Sequence, residues 1–458
     1  MQGLFNSQQT ILVLGLGETG ASVLRWLEHF PELTVIAADT RDHPPQLALL
    51  NNSFPRVRFF CGTDTEIACQ QADVIIVSPG VPLSYTPLSV AQQRGALVLG
   101  DVEVFARVIN QLSHKPIVIG ITGSNGKSTV TTMVGEILKH AGYHTAVVGN
   151  IGTPVLDVMA ESHSIQAYVL ELSSFQLETT HNLYLDAATV LNVSEDHLDR
   201  YQDMDSYAAA KERIFRYCKQ RIVNRQDTYS WAMSEPTSWS FGLDQSVNTN
   251  DWGIEHKDNE VWISHGQSTC LKLSSFPLAG LHNAANAMAA LALTYAVGVN
   301  PSVAVEALMK FKGLPHRVEP VATHNQITFY DDSKGTNVGA TVAALEGLPQ
   351  KVVLIAGGDG KGQDFSPLSP ALNKHGRALV LIGRDAPLIE QATLHCGIPI
   401  DHARDMKEAV VKAMHFAQTG DAVLLSPACA SFDMFDNYLH RAQVFIQSVK
   451  DVIEERAS

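Results

Sequence analysis

The chain has 458 residues, 45% of them hydrophobic and 17% charged, which suits a folded soluble protein of about three domains. Its net charge of −14, from 33 Lys+Arg against 47 Asp+Glu, leaves no basic footprint for a nucleic-acid backbone or an anionic membrane surface. Six scattered cysteines with no CxxC pair read as reduced thiols, and the start "MQGLFNSQQTILVLGLG" runs into a strand with no signal peptide, so a cytoplasmic location is expected.

In chain order, the first block covers residues 1–106. Buried-strand patterns "TILVLGLG" and "TVIAADT" flank a predicted helix over 19–30, and "ADVIIVSPG" and "GALVLGDVE" continue the rhythm. The second block, 107–314, opens after Pro116 with "IVIGITG". It adds the strands "AYVLELS" and "AATVLNVS", with helices predicted from near Lys127 and Ser206. It closes on an alanine-rich segment over 284–299, too short for a membrane span and better read as a buried helix. The third block, 315–458, repeats the alternation in "ITFYDDS", "VVLIAGG", "ALVLIG" and "AVLLSP". Strands alternating with helices predict an α/β protein of three domains built on parallel sheets: Rossmann-like, P-loop-type ATPase, Rossmann-like. Ligands then collect beyond the C-terminal ends of the strands, and bends near residues 106 and 314 would let the units close on them.

The polar motifs sit at those strand ends. "GLGETG" (15–20) matches the dinucleotide fingerprint, with Asp39 ending the next strand. Its amides and helix N-terminus suit a diphosphate, from NAD or from a nucleotide sugar. "TGSNGKST" follows a strand and precedes a helix but places Ile121 where the common phosphate loop has glycine. Lys127 is positioned for β- and γ-phosphates and Ser128 for Mg²⁺, so the loop reads as an ATP site. Glu171, at the end of an apolar strand, suits a metal ion. His197 lies between Asp196 and Asp199; Lys211 by itself reads as a solvated helix residue. Asn283 is a candidate helix cap or adenine reader beside His282 and Asn286, and Arg317 is placed to cross a cleft to phosphate. "YDDSKGTN", "GGDGKGQDF" and "LSPACASFDMF" then supply three polar loops at strand ends, a pocket for a small anionic ligand.

Taken in order, these stretches resemble the Mur ligase family of peptidoglycan synthesis over almost the whole chain. The likeness rests on "SPG" at Ser78, "TGSNGKSTVTT", "GNIG" at Gly149, "ELSSFQLE", "EDHLDRY", "DDSKGTN", "GGDGKGQDF" and "LSPACASFD". It is greatest to members that add D-glutamate to UDP-N-acetylmuramoyl-L-alanine through an acyl phosphate. Sister ligases share the ATP motifs, and folylpolyglutamate synthases share the ATP fold.

The resemblance implies a catalytic set of Lys127, His197 and Lys211. It implies ATP held by Gly123, Asn125, Gly126, Lys127, Ser128, Thr129, Asn283, Asn286, Arg317 and Asp332. Two Mg²⁺ ions would be ligated through Ser128, Glu171, His197 and a carbamylated Lys211, since a carbamate ligates a cation where an ammonium cannot. Gly17, Thr19, Gly20, Asp39, Thr40, Arg41 and Ser78 would take the UDP-sugar, with Asn150 near its reactive end. Lys334, Thr336, Lys361, Ser431 and Tyr438 would grip D-glutamate. A monomer is expected, with neither nucleic acid nor membrane as partner. Departures from the family pattern are Gly335, Phe432, Tyr438 and the missing glycine after Arg441. Rival readings are a sister amide ligase, an NAD-binding oxidoreductase and a nucleotide-binding regulator. The set Lys127, Glu171, His197 and Lys211 speaks against the last.

Overall fold

The structure, a computed structural model, describes residues 4–161, 164–197, 200–246, 248–278 and 280–457. The first sheet contains β1 (Thr10–Leu14), β2 (Thr34–Asp39), β3 (Arg58–Cys61), β4 (Val74–Val77) and β5 (Leu97–Leu99). It is wholly parallel in the order β3-β2-β1-β4-β5, so the chain reverses direction across the sheet between β1 and β4. The fingerprint loop leaves β1 at this switch point, where open α/β sheets leave a crevice. The expected helix over 19–30 runs Glu18–Leu27.

The middle sheet has nine strands: β6 (Ile117–Thr122), β7 (Thr145–Gly149), β8 (Ala167–Glu171), β9 (Leu185–Val190), β10 (Cys218–Asn224), β11 (Trp239–Phe241), β12 (Trp252–Lys257), β13 (Glu260–His265) and β14 (Ser268–Lys272). Their order is β14-β13-β12-β11-β10-β9-β6-β8-β7. The third sheet joins β15 (Glu319–His324), β16 (Ile327–Asp331), β17 (Val352–Gly357), β18 (Gly376–Ile382), β19 (Ile400–His402) and β20 (Ala422–Leu425) in the order β15-β16-β20-β17-β18-β19.

The sheets are not parallel throughout. β12, β13 and β14 form an antiparallel meander, and β15 pairs antiparallel with β16. Two-residue turns cause this. Asp258 and Asn259 both take positive φ (53° and 61°), as do Asn325 and Gln326 (48° and 61°), the conformation that returns a strand directly on its neighbour.

The alanine-rich segment lies in the helix Leu281–Ala296, whose residues 287–293 are at most 1% exposed. It packs on the helix Lys127–His140, which follows the ATP-type loop. Among the described residues, no helix is long and apolar enough to cross a membrane. The helix Asp101–Asn110 passes through residue 106, and Val102, Val104, Phe105 and Ala106 are all inaccessible to solvent. Its apolar side chains share one continuous core with the first and middle sheets. Phe105 meets Tyr168 of β8 edge-on at 4.9 Å.

Candidate active site

The fingerprint loop is closed by backbone fit and by one carboxylate. A Cβ at position 20 would lie 1.9 Å from the Gly15 carbonyl, so only glycine lets helix and loop approach this closely. Asp39, 2% exposed, accepts the Leu16 amide at 2.8 Å and the Arg41 amide at 2.9 Å. The Arg41 guanidinium adds Nε and Nη2 contacts, each 2.8 Å. Burial works to raise the Asp39 pKa, but Arg41 and the two amides outweigh it and hold the carboxyl below its usual value. Gly17 caps the following helix, Thr19 and Gly20 lie in its first turn, and Thr40 and Arg41 stand exposed beside them. Ser78 Oγ donates to the Gly15 carbonyl at 3.0 Å.

In the middle sheet, the loop after β6 ends at Gly126, in the left-handed region (φ 84°), and the helix starts at Lys127. Asn192 braces this loop by accepting the Asn125 amide at 2.8 Å and donating to the Asn125 carbonyl at 3.1 Å. Two lysines converge on the Gly123 carbonyl, Lys127 Nζ at 2.7 Å and Lys211 Nζ at 3.0 Å. Lys211 is 1% exposed and its ammonium lies 4.3 Å from the centre of the Tyr207 ring. Burial, reinforced by Lys127, drives its pKa well below the ordinary lysine range. A lowered pKa enlarges the neutral, nucleophilic fraction of the amine, the form that reaction with CO₂ requires. Lys127 is lowered too, by burial, against the pull of Glu171 and Asp196.

Glu171 is 1% exposed; one oxygen accepts Asn150 Nδ2 at 3.0 Å, and the other is buried with no hydrogen-bond partner. An orphaned carboxylate oxygen beside a phosphate-type loop fits a cation. His197 takes φ 57° and packs on Phe175, with ring centroids 4.8 Å apart. Burial lowers its pKa against the pull of Asp196, which favours the neutral imidazole that a metal ion requires. Asp199 lies outside the described residues.

The third sheet completes the arrangement. Arg317, between residues of positive φ at His316 (60°) and Val318 (49°), donates from Nη2 to Ser128 Oγ at 2.9 Å. Asn337 Nδ2 donates to Asn125 Oδ1 at 3.0 Å, and Lys361 Nζ reaches Asp196 Oδ1 at 3.3 Å. Asp332 is held by Ser426 Oγ at 2.7 Å, and burial pushes its pKa up to about 7. Between the middle and third sheets lies a cavity of about 930 Å³. Asn125, Gly126, Thr129, Asn283, Asn286, Arg317 and Asp332, seven of the ten residues expected at ATP, line it, and its size suits a nucleotide.

Among the residues expected at D-glutamate, the Lys334 ammonium lies 5.1 Å from the Tyr438 ring, which also meets His316. The Thr336 amide donates to the Lys334 carbonyl at 3.0 Å, and Ser431 is buried. Phe432 is 73% exposed, so its departure from the family pattern makes no packing demand. The first-sheet residues form their own cluster, apart from this cavity. Asn283 does not cap its helix; Gly280 occupies that position, and Asn283 faces Asn286. Sequence reasoning missed Asn337 and Asn192. Asn337 caps the helix Val338–Gly347, and an asparagine before an apolar helical run was the available signal. It also missed Arg200, which bridges to the Pro79 carbonyl at 2.8 Å.

A glycine loop on the first sheet, an ATP-type loop on the middle one and a third unit that reaches the middle unit with Arg317 and Lys361 define a nucleotide-binding architecture of three units, and comparison with known proteins identifies it as a ligase's. The chain matches the N-terminal domain of MurD-like Mur ligases over residues 9–100, the Mur ligase middle domain over 121–294 and the Mur ligase glutamate ligase domain over 316–429. The chain belongs to the Mur ligase family. It is 51% identical over 450 residues to the UDP-N-acetylmuramoylalanine–D-glutamate ligase of Methylobacillus flagellatus, covering 98% of each chain. It is 50% identical over 458 residues to the ligase of the same name from Nitrosospira multiformis, covering 98% of this chain and 97% of that one. Among solved structures, the fold resembles UDP-N-acetylmuramate–alanine ligase from Thermotoga maritima, with a TM-score of 0.61 and 18% identity over 97% of this chain and all of that one.

Proposed function

We infer that the protein is an ATP-dependent ligase that forms the amide bond between UDP-N-acetylmuramoyl-L-alanine and D-glutamate, in peptidoglycan precursor synthesis. The observation that carries the reading is the cavity between the middle and third sheets, where the ATP-type loop meets Arg317 and Asp332. Similarity over nearly the full chain to ligases of this name supports the choice of amino acid and acceptor. In this reading residues 1–106 bind the UDP-substrate, 107–314 bind ATP and 315–458 bind D-glutamate. The enzyme works in the cytoplasm as a monomer.

ATP transfers its γ-phosphoryl group to the substrate carboxylate, leaving ADP and an acyl phosphate. The amine of D-glutamate then attacks the acyl carbon, and the C–O bond to phosphate breaks with release of phosphate and a proton. The chain's own residues must bring polyanions together and offset their charge. Lys127 holds the phosphates with the loop and helix start formed by Gly123, Asn125, Gly126, Ser128 and Thr129, while Asn283 and Asn286 face the base. Arg317 spans the cleft as a fixed cation. Glu171, Ser128, His197 and Lys211 would hold two Mg²⁺ ions, which would neutralise charge on the transferring group. The orphaned Glu171 oxygen and the neutral His197 suit that role as they stand, and Lys211 suits it once carbamylated. Gly17, Thr19, Gly20, Asp39, Thr40, Arg41 and Ser78 take the uridine diphosphate, with Asn150 near the reacting carboxylate. Lys334, Thr336, Lys361, Ser431 and Tyr438 take the D-glutamate carboxylates.

The oxidoreductase alternative takes the fingerprint loop at face value and predicts NAD(H) binding; the similarity to amide ligases over nearly the full chain speaks against it. The deciding experiment measures phosphate release from ATP with UDP-N-acetylmuramoyl-L-alanine and each of D-Glu, L-Glu, L-Ala, L-Lys and meso-diaminopimelate. Release with D-Glu alone is expected. Release with another amino acid would move the enzyme to a sister activity, and silence with all five would remove the ligase reading.

A further inference from the structure

The ring of Phe175 stands between two groups that the mechanism treats separately. His197 packs against it at 4.8 Å between centroids, and the Arg200 guanidinium lies 3.8 Å from the ring centre. Arg200 has two more attachments: Nη1 donates to the Pro79 carbonyl at 2.8 Å, and Nη2 to Glu178 Oε2 at 3.2 Å. Its amide donates to the carbonyl of His197, which takes positive φ, at 2.9 Å. Pro79 directly follows Ser78, the residue bonded to the fingerprint loop at Gly15. One side chain thus touches the substrate loop of the first sheet and the ring that backs the histidine of the middle sheet. The Arg200 side chain is only 17% exposed, and its glutamate partner 20%, so these charge-assisted contacts act partly withdrawn from water.

We propose that Arg200 is a positioning residue: it fixes the His197 imidazole through Phe175 and, by the same side chain, ties that imidazole to the UDP-substrate loop. This rests on reading His197 as a metal-handling group. A histidine at positive φ is held there by its surroundings and not by local preference. Arginine alone suits the position, because its flat face stacks on the ring while its edge N–H groups donate in plane to two separate oxygens. A lysine retains the charge and loses that geometry.

The test compares full-length wild type with Arg200→Lys, Arg200→Ala, Phe175→Leu and the double variant Arg200→Ala/Phe175→Leu. Mn²⁺ affinity is read by electron paramagnetic resonance with a non-hydrolysable ATP analogue, beside steady-state phosphate release and melting temperature. Loss of support behind a metal-handling histidine should weaken Mn²⁺ binding and lower kcat by roughly 10- to 100-fold in each single variant. The double variant should be no worse than Arg200→Ala, because both changes break one connection. KM for the UDP-substrate should rise in the Arg200 variants and stay level in Phe175→Leu, since Arg200 carries the contact to Pro79. Wild-type Mn²⁺ affinity and kcat in the Arg200 variants would overturn the proposal, as would additive losses in the double variant. If Arg200→Ala does not fold, Arg200→Lys and Phe175→Leu make the same comparison. A wild-type enzyme that binds Mn²⁺ but releases no phosphate would remove the ligase reading and leave the Mn²⁺ comparison to judge Arg200.

Discussion

Asp39→Ala separates the two nucleotide sites. The carboxylate is 2% exposed and accepts the Leu16 amide at 2.8 Å, and Leu16 itself is 1% exposed. Alanine leaves that amide without its acceptor, at a cost of about 2 kcal/mol in the native loop geometry. The Arg41 contacts add less, because the guanidinium is 54% exposed and water screens it. If the loss falls on ligand binding, about 2 kcal/mol corresponds to roughly 30-fold in affinity. The assay is steady-state kinetics with each substrate varied in turn, beside a melting curve. KM for the UDP-substrate should rise by up to roughly 30-fold, while KM for ATP stays within about twofold and kcat at saturation is retained. A larger rise in KM for ATP than for the UDP-substrate would refute the assignment of the fingerprint loop. Unchanged kinetics and an unchanged melting temperature together would refute the role given to the Leu16–Asp39 bond.

Lys127→Ala should abolish turnover and leave the melting temperature near wild type; Lys211→Ala should do the same without rescue by bicarbonate, and substantial turnover in either excludes that lysine from the mechanism. Gly335→Ala should raise KM for ATP about tenfold and leave the UDP-substrate alone, because the new Cβ would lie 2.5 Å from Asp332 Oδ2 and force the carboxylate off Ser426; an unaltered KM for ATP would show that Asp332 is not so confined. Glu103, inaccessible to solvent, accepts the His181 and Asn182 amides, the Asn182 side chain and Arg107. Burial alone would raise its pKa, but those donors hold it below the ordinary glutamate value of 4.5. A depressed folded pKa gives stability that is present above 4.5 and lost as pH falls through the folded value, so Glu103→Gln should melt earlier at neutral pH and show a flatter decline below 4.5. An acid limb as steep as wild type would assign acid unfolding to other carboxylates.

The amino-acid sequence by itself determined the features that local chemistry dictates. Continuous apolar runs made β1, β6, β8 and β17, and glycines at fixed offsets made the loops that follow β1 and β6. A Lys-Ser pair at a helix start marked the phosphate site, because strand, loop and helix N-terminus are contiguous there. The antiparallel strands β12–β15 were readable in principle from Asp258-Asn259 and Asn325-Gln326, whose turn preference is also local.

What only the tertiary structure decided is which distant groups share a low-dielectric space. Lys211 lies 88 residues from Gly123 and reads as a solvated helix position until folding buries it against that carbonyl. Its lowered pKa belongs to that burial and not to its neighbours in the chain. Asn337 reaches Asn125 across 212 residues, Arg317 reaches Ser128 across 189, and Arg200 reaches Pro79 across 121. Hydrogen-bond partners at such separations leave no periodic trace, because a side chain's reach is set by the packing of whole sheets and not by the spacing of residues along one.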